Sequence, residues 1–113
     1  MAKPAPIVSS VTIPAGQSLS SPLDLTTGSL ALLMSPDAWD PANVSFQISE
    51  DNVTFRDLYD RDGVQVLRPM GAARASIVDQ SLSTAALYLK IRSGPSENPV
   101  EQEADRTFVC VVV

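Results

Sequence analysis

The chain is 113 residues long and 44% apolar, with 8 basic and 13 acidic side chains and a formal net charge of −5. That length makes one domain, able to bury a core without disulfides or a structural metal, and the acidic balance argues against a binder of nucleic-acid backbone, which needs a basic face. There is no histidine and one cysteine, Cys110, so inventory alone excludes a Ser-His-Asp triad, a histidine-bearing zinc site and an internal disulfide.

Residues 1–8, with Pro4 and Pro6, read as an extended arm, and 9–113 as the folded domain. The opening Met-Ala-Lys-Pro-Ala-Pro lacks the apolar stretch of a signal peptide, so no secretory processing is expected. Asn43-Val-Ser and Asn52-Val-Thr are then chance matches to a glycosylation pattern. Val11 and Ile13 alternate with Thr12 until Pro14-Ala-Gly16 turns the chain, which makes a first strand. Leu23 and Leu25 flank Asp24 in a short extended piece, and Leu30, Leu32 and Met34 alternate after Gly28. Pro36 and Pro41 bracket an irregular connection around Trp39, with room for one helical turn capped by Ser35.

Val44, Phe46 and Ile48 share one face opposite Ser45, Gln47 and Ser49, the clearest period of two in the chain. Glu50-Asp-Asn52 is a tight turn, Thr54 to Tyr59 the return strand, and Asp60-Arg-Asp-Gly63 a second turn leading to Val64–Leu67. Residues 72–82 fit either a strand centred on Ile77 or a short helical connection. Leu87, Leu89 and Ile91 face one way, and Tyr88, Lys90 and Arg92 the other. A polar loop at 93–99 precedes a last, β-branched strand from Thr107 to Val113, which is too short to span a bilayer.

Seven or eight short strands punctuated by Gly and Pro predict an all-β, antiparallel sandwich of jelly-roll type. Val44, Phe46, Ile48, Leu87, Leu89 and Ile91 are expected to point inward. From the last strand they are joined either by Phe108, Cys110 and Val112 or by Val109 and Val111.

Candidate chemistry is sparse. Asp57, Asp60 and Asp62 precede Gly63, and aspartates near a glycine can ligate calcium. The spacing does not match the helix–loop–helix calcium motif, however, and Asp57 falls within a strand. Asp60 and Asp62 are natural turn residues, and Arg56 and Arg61 can neutralise part of the cluster. The expectation is solvated turns, with no metal and no cofactor. Ser18, Ser20 and Ser21 have no base to activate them, and no enzyme activity is expected. Trp39 and Tyr59 are the aromatic candidates for a ligand or partner contact, with Trp39 otherwise plugging one end of the sandwich beneath its loop. Tyr88, beside Lys90 and Arg92, lies on either a solvated face or a subunit contact. Arg106 and Asp105 read as an end-of-sheet salt bridge, and Cys110 as a small core hydrophobe.

Four separated pieces, in order, carry a resemblance. They are Ala15-Gly-Gln-Ser-Leu-Ser20, the run from Ala38-Trp39-Asp-Pro through Phe46-Gln-Ile-Ser-Glu-Asp-Asn-Val-Thr-Phe55 to Asp60, Leu89-Lys-Ile-Arg-Ser-Gly94, and Ala104-Asp-Arg-Thr107. Together they resemble small accessory proteins of tailed bacteriophages and prophages, of the head-decoration or head-fibre type. The Phe46-to-Phe55 stretch is also similar to the strand–turn–strand of discoidin-like and carbohydrate-binding sandwiches, with Asp51-Asn52 where many of those have Asp-Gly. The resemblance implies a structural virion protein, made in the bacterial host cytoplasm and attached to the head or neck. Its implied partners are major capsid or neck proteins and further copies of itself, with no nucleic acid and no membrane. The alternative is a carbohydrate-binding module that meets a host glycan during adsorption.

Overall fold

The computed structural model describes residues 5–113. Nine strands run in chain order: β1 (Ile7–Ile13), β2 (Leu23–Asp24), β3 (Leu30–Met34), β4 (Val44–Ser49), β5 (Arg56–Asp57), β6 (Leu67–Arg68), β7 (Ala75–Ile77), β8 (Tyr88–Ser93) and β9 (Arg106–Val112). One 3₁₀ turn, Gln80–Leu82, is capped by the Asp79 carboxylate, which accepts from the Ser81 N–H. The segment 72–82, open between strand and helix in the sequence, is therefore a three-residue strand followed by this turn.

Two antiparallel sheets face each other. One has the order β1-β9-β3-β7. The other has β2-β8-β4-β5, with β6 also paired to β4. The pairings nest, since β1 meets β9, β2 meets β8, β3 meets β7 and β4 meets β5. A long antiparallel ribbon wrapped on itself gives this order, and it is the jelly-roll arrangement. The excursion from Arg56 to Arg68 counts as two strands because its limbs return to different halves of β4: Asp57 pairs with Gln47, and Leu67 with Ser45.

Between the sheets lie Val11, Ile13, Leu23, Leu30, Leu33, Val44, Phe46, Leu89, Ile91, Phe108, Cys110 and Val112, all essentially inaccessible. The open register of the last strand is settled in favour of Phe108, Cys110 and Val112. Two of the expected core positions differ. Leu87 is 41% exposed, because β8 begins one residue later and Leu87 lies at the sheet's end, where its carbonyl accepts from the Leu25 N–H. Ile48 is only half-buried, against the rim of the core. The Leu30–Leu32–Met34 alternation is also broken. A register shift between Leu30 and Leu32 in the β3–β9 ladder sends Leu30 and Leu33 inward and turns Leu32 and Met34 outward. A bulge does this because one extra residue reverses the facing of everything after it.

Of the segment read as an arm, residues 1–4, including Pro4, lie outside the described residues. Pro6 is exposed, and Ile7 and Val8 are the first rungs of β1, opposite Val112 and Val111.

Candidate functional site

The acidic stretch at 49–63 resolves into two turns and a strand. In the first turn the Asp51 carboxylate accepts from the Val53 and Thr54 N–H groups (2.9 Å each), and the Ser49 hydroxyl accepts from the Asn52 N–H. Asn52 has φ 60°, the left-handed conformation that asparagine tolerates. The bonds from Thr54, Val53 and Ser49 hold the Asp51 carboxyl below the usual carboxylate range. In the second turn Asp60 accepts from the Asp62 and Val64 N–H groups, and Gly63 supplies φ 80°. Asp57 is in β5, as expected. Among the described residues, no group of three or more metal-ligating side chains comes together.

Asp57 takes a partner that the sequence did not suggest. Arg92, expected on a solvated or contact face, is buried, and its Nη1 lies 2.8 Å from Asp57 Oδ1. Its Nε donates to the Ser45 hydroxyl (3.0 Å), which donates to the Gly94 carbonyl. Burial pushes the Asp57 carboxyl up, but the hydrogen bonds from Arg92 and Gln47 and the Arg92 charge outweigh it and leave the group below its ordinary value. Arg56 and Arg61 are not its ion-pair partners.

Arg106 likewise pairs with Asp40 (3.2 Å), not with its neighbour Asp105, whose carboxylate accepts from the Ala15 N–H. Between Arg106 and Asp40 sits Gln102, fully buried. Its Oε1 accepts from Arg106 Nε (3.0 Å) and the Asp40 N–H (2.9 Å), and its Nε2 donates to Ser93 Oγ (2.7 Å) and the Asp40 carbonyl (3.1 Å). A lone glutamine in a polar run carries no sequence signal of this role.

Of the aromatic candidates, Trp39 packs edge-on against Phe108 at 5.3 Å between centroids and donates Nε1–H to the Ala42 carbonyl. That geometry is the end plug. Tyr59 is 50% exposed, opposite Gln65. Tyr88 is half-buried opposite Ser49 on the outer face of the five-stranded sheet. On that face Lys90 Nζ lies 4.3 Å from the centroid of the Phe55 ring. The structure brings none of these three aromatics together. A shallow depression of about 580 Å³ lies near the first turn, lined by Ile48, Glu50, Asp51, Thr54, Arg56, Asp57 and Leu58. Of its carboxylates, Asp51 and Asp57 are already engaged by Ser49, Arg92, Gln47 and backbone N–H groups.

The outer face of the four-stranded sheet has a different character. Cross-strand partners project to the same side, so the pairings Val8–Val111, Val111–Leu32 and Leu32–Ile77 form one continuous row across all four strands. Ser10–Val109, Val109–Met34 and Met34–Ala75 form the next. Seven of these eight side chains are apolar and none is charged. Ile77 is 90% exposed and Val8 66%. The β3 bulge creates this surface by turning Leu32 and Met34 outward. The sequence pattern hid it, because the residues of β3 read as one unbroken alternation, Leu30, Leu32 and Met34, and the last strand as apolar on both faces.

No protein-family model, curated protein or solved structure matches the chain.

Proposed function

We propose that this chain is a structural accessory protein of a bacteriophage particle, attached to the head or neck, that works by assembly through protein–protein contacts. The observation that carries the reading is the uncharged outer face of β1, β9, β3 and β7, which is apolar but for Ser10 and the Thr12–Thr107 pair at one end. A contiguous exposed apolar patch marks an interaction site, which apolar side chains exposed singly do not. A solvated antiparallel sheet would instead alternate apolar-in with polar-out. The nature of the particle rests on the resemblance of the four sequence pieces to small virion proteins. The carbohydrate-binding alternative draws support from the exposed ring of Tyr59.

The test is incorporation. Particles purified from the phage or prophage that encodes the chain are expected to contain it, and Ile77→Lys is expected to deplete it at least about tenfold, the effect of burying one poorly compensated charge at a contact. Absence of the wild-type chain from infectious particles, or full occupancy by Ile77→Lys, defeats the reading. Glycan binding by the soluble chain that is lost in Tyr59→Ala turns it to the carbohydrate alternative.

A further inference from the structure

We infer that the occupant of the outer face of β1-β9-β3-β7 is a second copy of this chain, packed sheet on sheet about a two-fold axis. The inference rests on the assembly reading above and names the partner for its surface. Charge is the first argument. The chain carries 13 acidic against 8 basic side chains, so two copies approaching at random repel. The two rows ending in Ile77 and Ala75 hold no charge, so here two acidic molecules can close without setting carboxylate against carboxylate. A basic partner would find nothing on this face to pair with.

Shape is the second argument. A two-fold contact needs a surface complementary to itself. Rows of Val, Leu and Ile on a twisted sheet are such a surface, because aligned sheets pack at about −30° with their side chains interleaved. Size is the third. Four strands about 4.8 Å apart and some 20 Å long give a plan footprint on the order of 400 Å². The side chains standing on it raise the accessible area toward the ~800 Å² per partner of a standard interface. A footprint of this size makes a reversible dimer that exchanges with monomer.

The test is sedimentation velocity of the full chain from about 5 to 500 µM, a range chosen to span a weak-to-moderate interface. The expected result is a concentration-dependent shift from monomer to dimer. Ile77→Lys and Met34→Lys should each weaken the dimer at least about 100-fold, since each buries a charge against an apolar partner. Both side chains already face solvent in the monomer, so circular dichroism and the unfolding midpoint should not change. Val53→Lys, 82% exposed on the turn after β4, should leave the dimer intact. A wild-type monomer throughout the range, or a dimer unaffected by both face variants, overturns the inference. A monomer in solution whose Ile77→Lys variant still drops out of particles overturns self-pairing and leaves the assembly function standing. If the variant is incorporated normally, it is the function that falls.

Discussion

Gln102 ties together segments that are distant in sequence. Its side chain joins the Trp39 loop, β8 and β9, while its backbone accepts from the Gly16 N–H (2.8 Å) and donates to the Gln17 carbonyl (3.0 Å). Every polar atom of the side chain is used, which is the condition under which a buried amide stabilises a fold. Gln102→Leu preserves much of the volume but strips partners from Asp40, Ser93 and Arg106. The expected loss is about 3 kcal/mol, read from the urea midpoint, since buried groups left unpaired cost about 1–3 kcal/mol each. A loss below about 0.5 kcal/mol, the range of ordinary surface substitutions, would show that water replaces these bonds freely. At Gly94 the constraint is steric. With φ 85°, a Cβ there would lie 2.8 Å from the Asn98 carbonyl oxygen, so the loop after β8 accepts only glycine without moving.

Between elements, the Arg92–Asp57 pair fastens the short β5 to the central β8 across β4. β5 has two residues and cannot hold its place by ladder bonds alone. Arg92→Leu should therefore cost about 3 kcal/mol at pH 7, the usual penalty for leaving one member of a largely buried pair. The pH dependence has a definite sign. In the wild type the Asp57 carboxyl is lowered, so its contribution is fully present above the unfolded carboxylate value of about 3.9 and is lost as pH falls through the folded value. In Arg92→Leu the guanidinium is gone and burial dominates, raising the carboxyl. The variant's deficit should then shrink between about pH 6 and pH 3 as Asp57 protonates. Denaturant unfolding of both proteins across that range checks it, and a deficit independent of pH would mean that the pair contributes only packing.

At the scale of the whole molecule, the nested pairing controls access to the core. β1 and β9 come from opposite ends of the described chain, with Ile13 opposite Arg106, so the outermost rungs close only when the sheets are nearly complete. Such non-local order favours slow, cooperative folding. Cys110 reports on it. The thiol is fully buried at the centre of β9, and burial pushes it up to about 12. Labelling by a thiol reagent near pH 8 should require opening of the sandwich, and its free energy should fall with urea at the slope of global unfolding. Rapid labelling in the absence of urea would reveal a sub-global opening that frees β9. The extended face on the other side of that strand has the opposite exposure, as Val109 and Val111 stand outward between Phe108, Cys110 and Val112.

The sequence by itself determined the class of fold, the central hairpin and four positions of the core. Val44, Phe46, Leu89 and Ile91 alternate with polar neighbours strictly enough that only one facing buries them. The turn at Asp51-Asn52 was legible for a local reason, because its chemistry lies within six residues. What the tertiary structure alone decided depends on partners far along the chain. The apolarity of 108–113 left two registers open, and pairing of β9 between β1 and β3 chose between side chains that look equivalent in sequence, turning Phe108, Cys110 and Val112 into the core. Sequence proximity hid the partners of Arg92 and Arg106, since it offered Arg56 and Arg61 to the aspartate cluster and Asp105 to Arg106. The sheet instead brings Asp57 and Asp40 to them, 35 and 66 positions away. The exposed face arose the same way. One extra residue in β3 turns Leu32 and Met34 to solvent, and hydrophobic periodicity cannot show it, since a bulge is a relation between two strands and not a property of either.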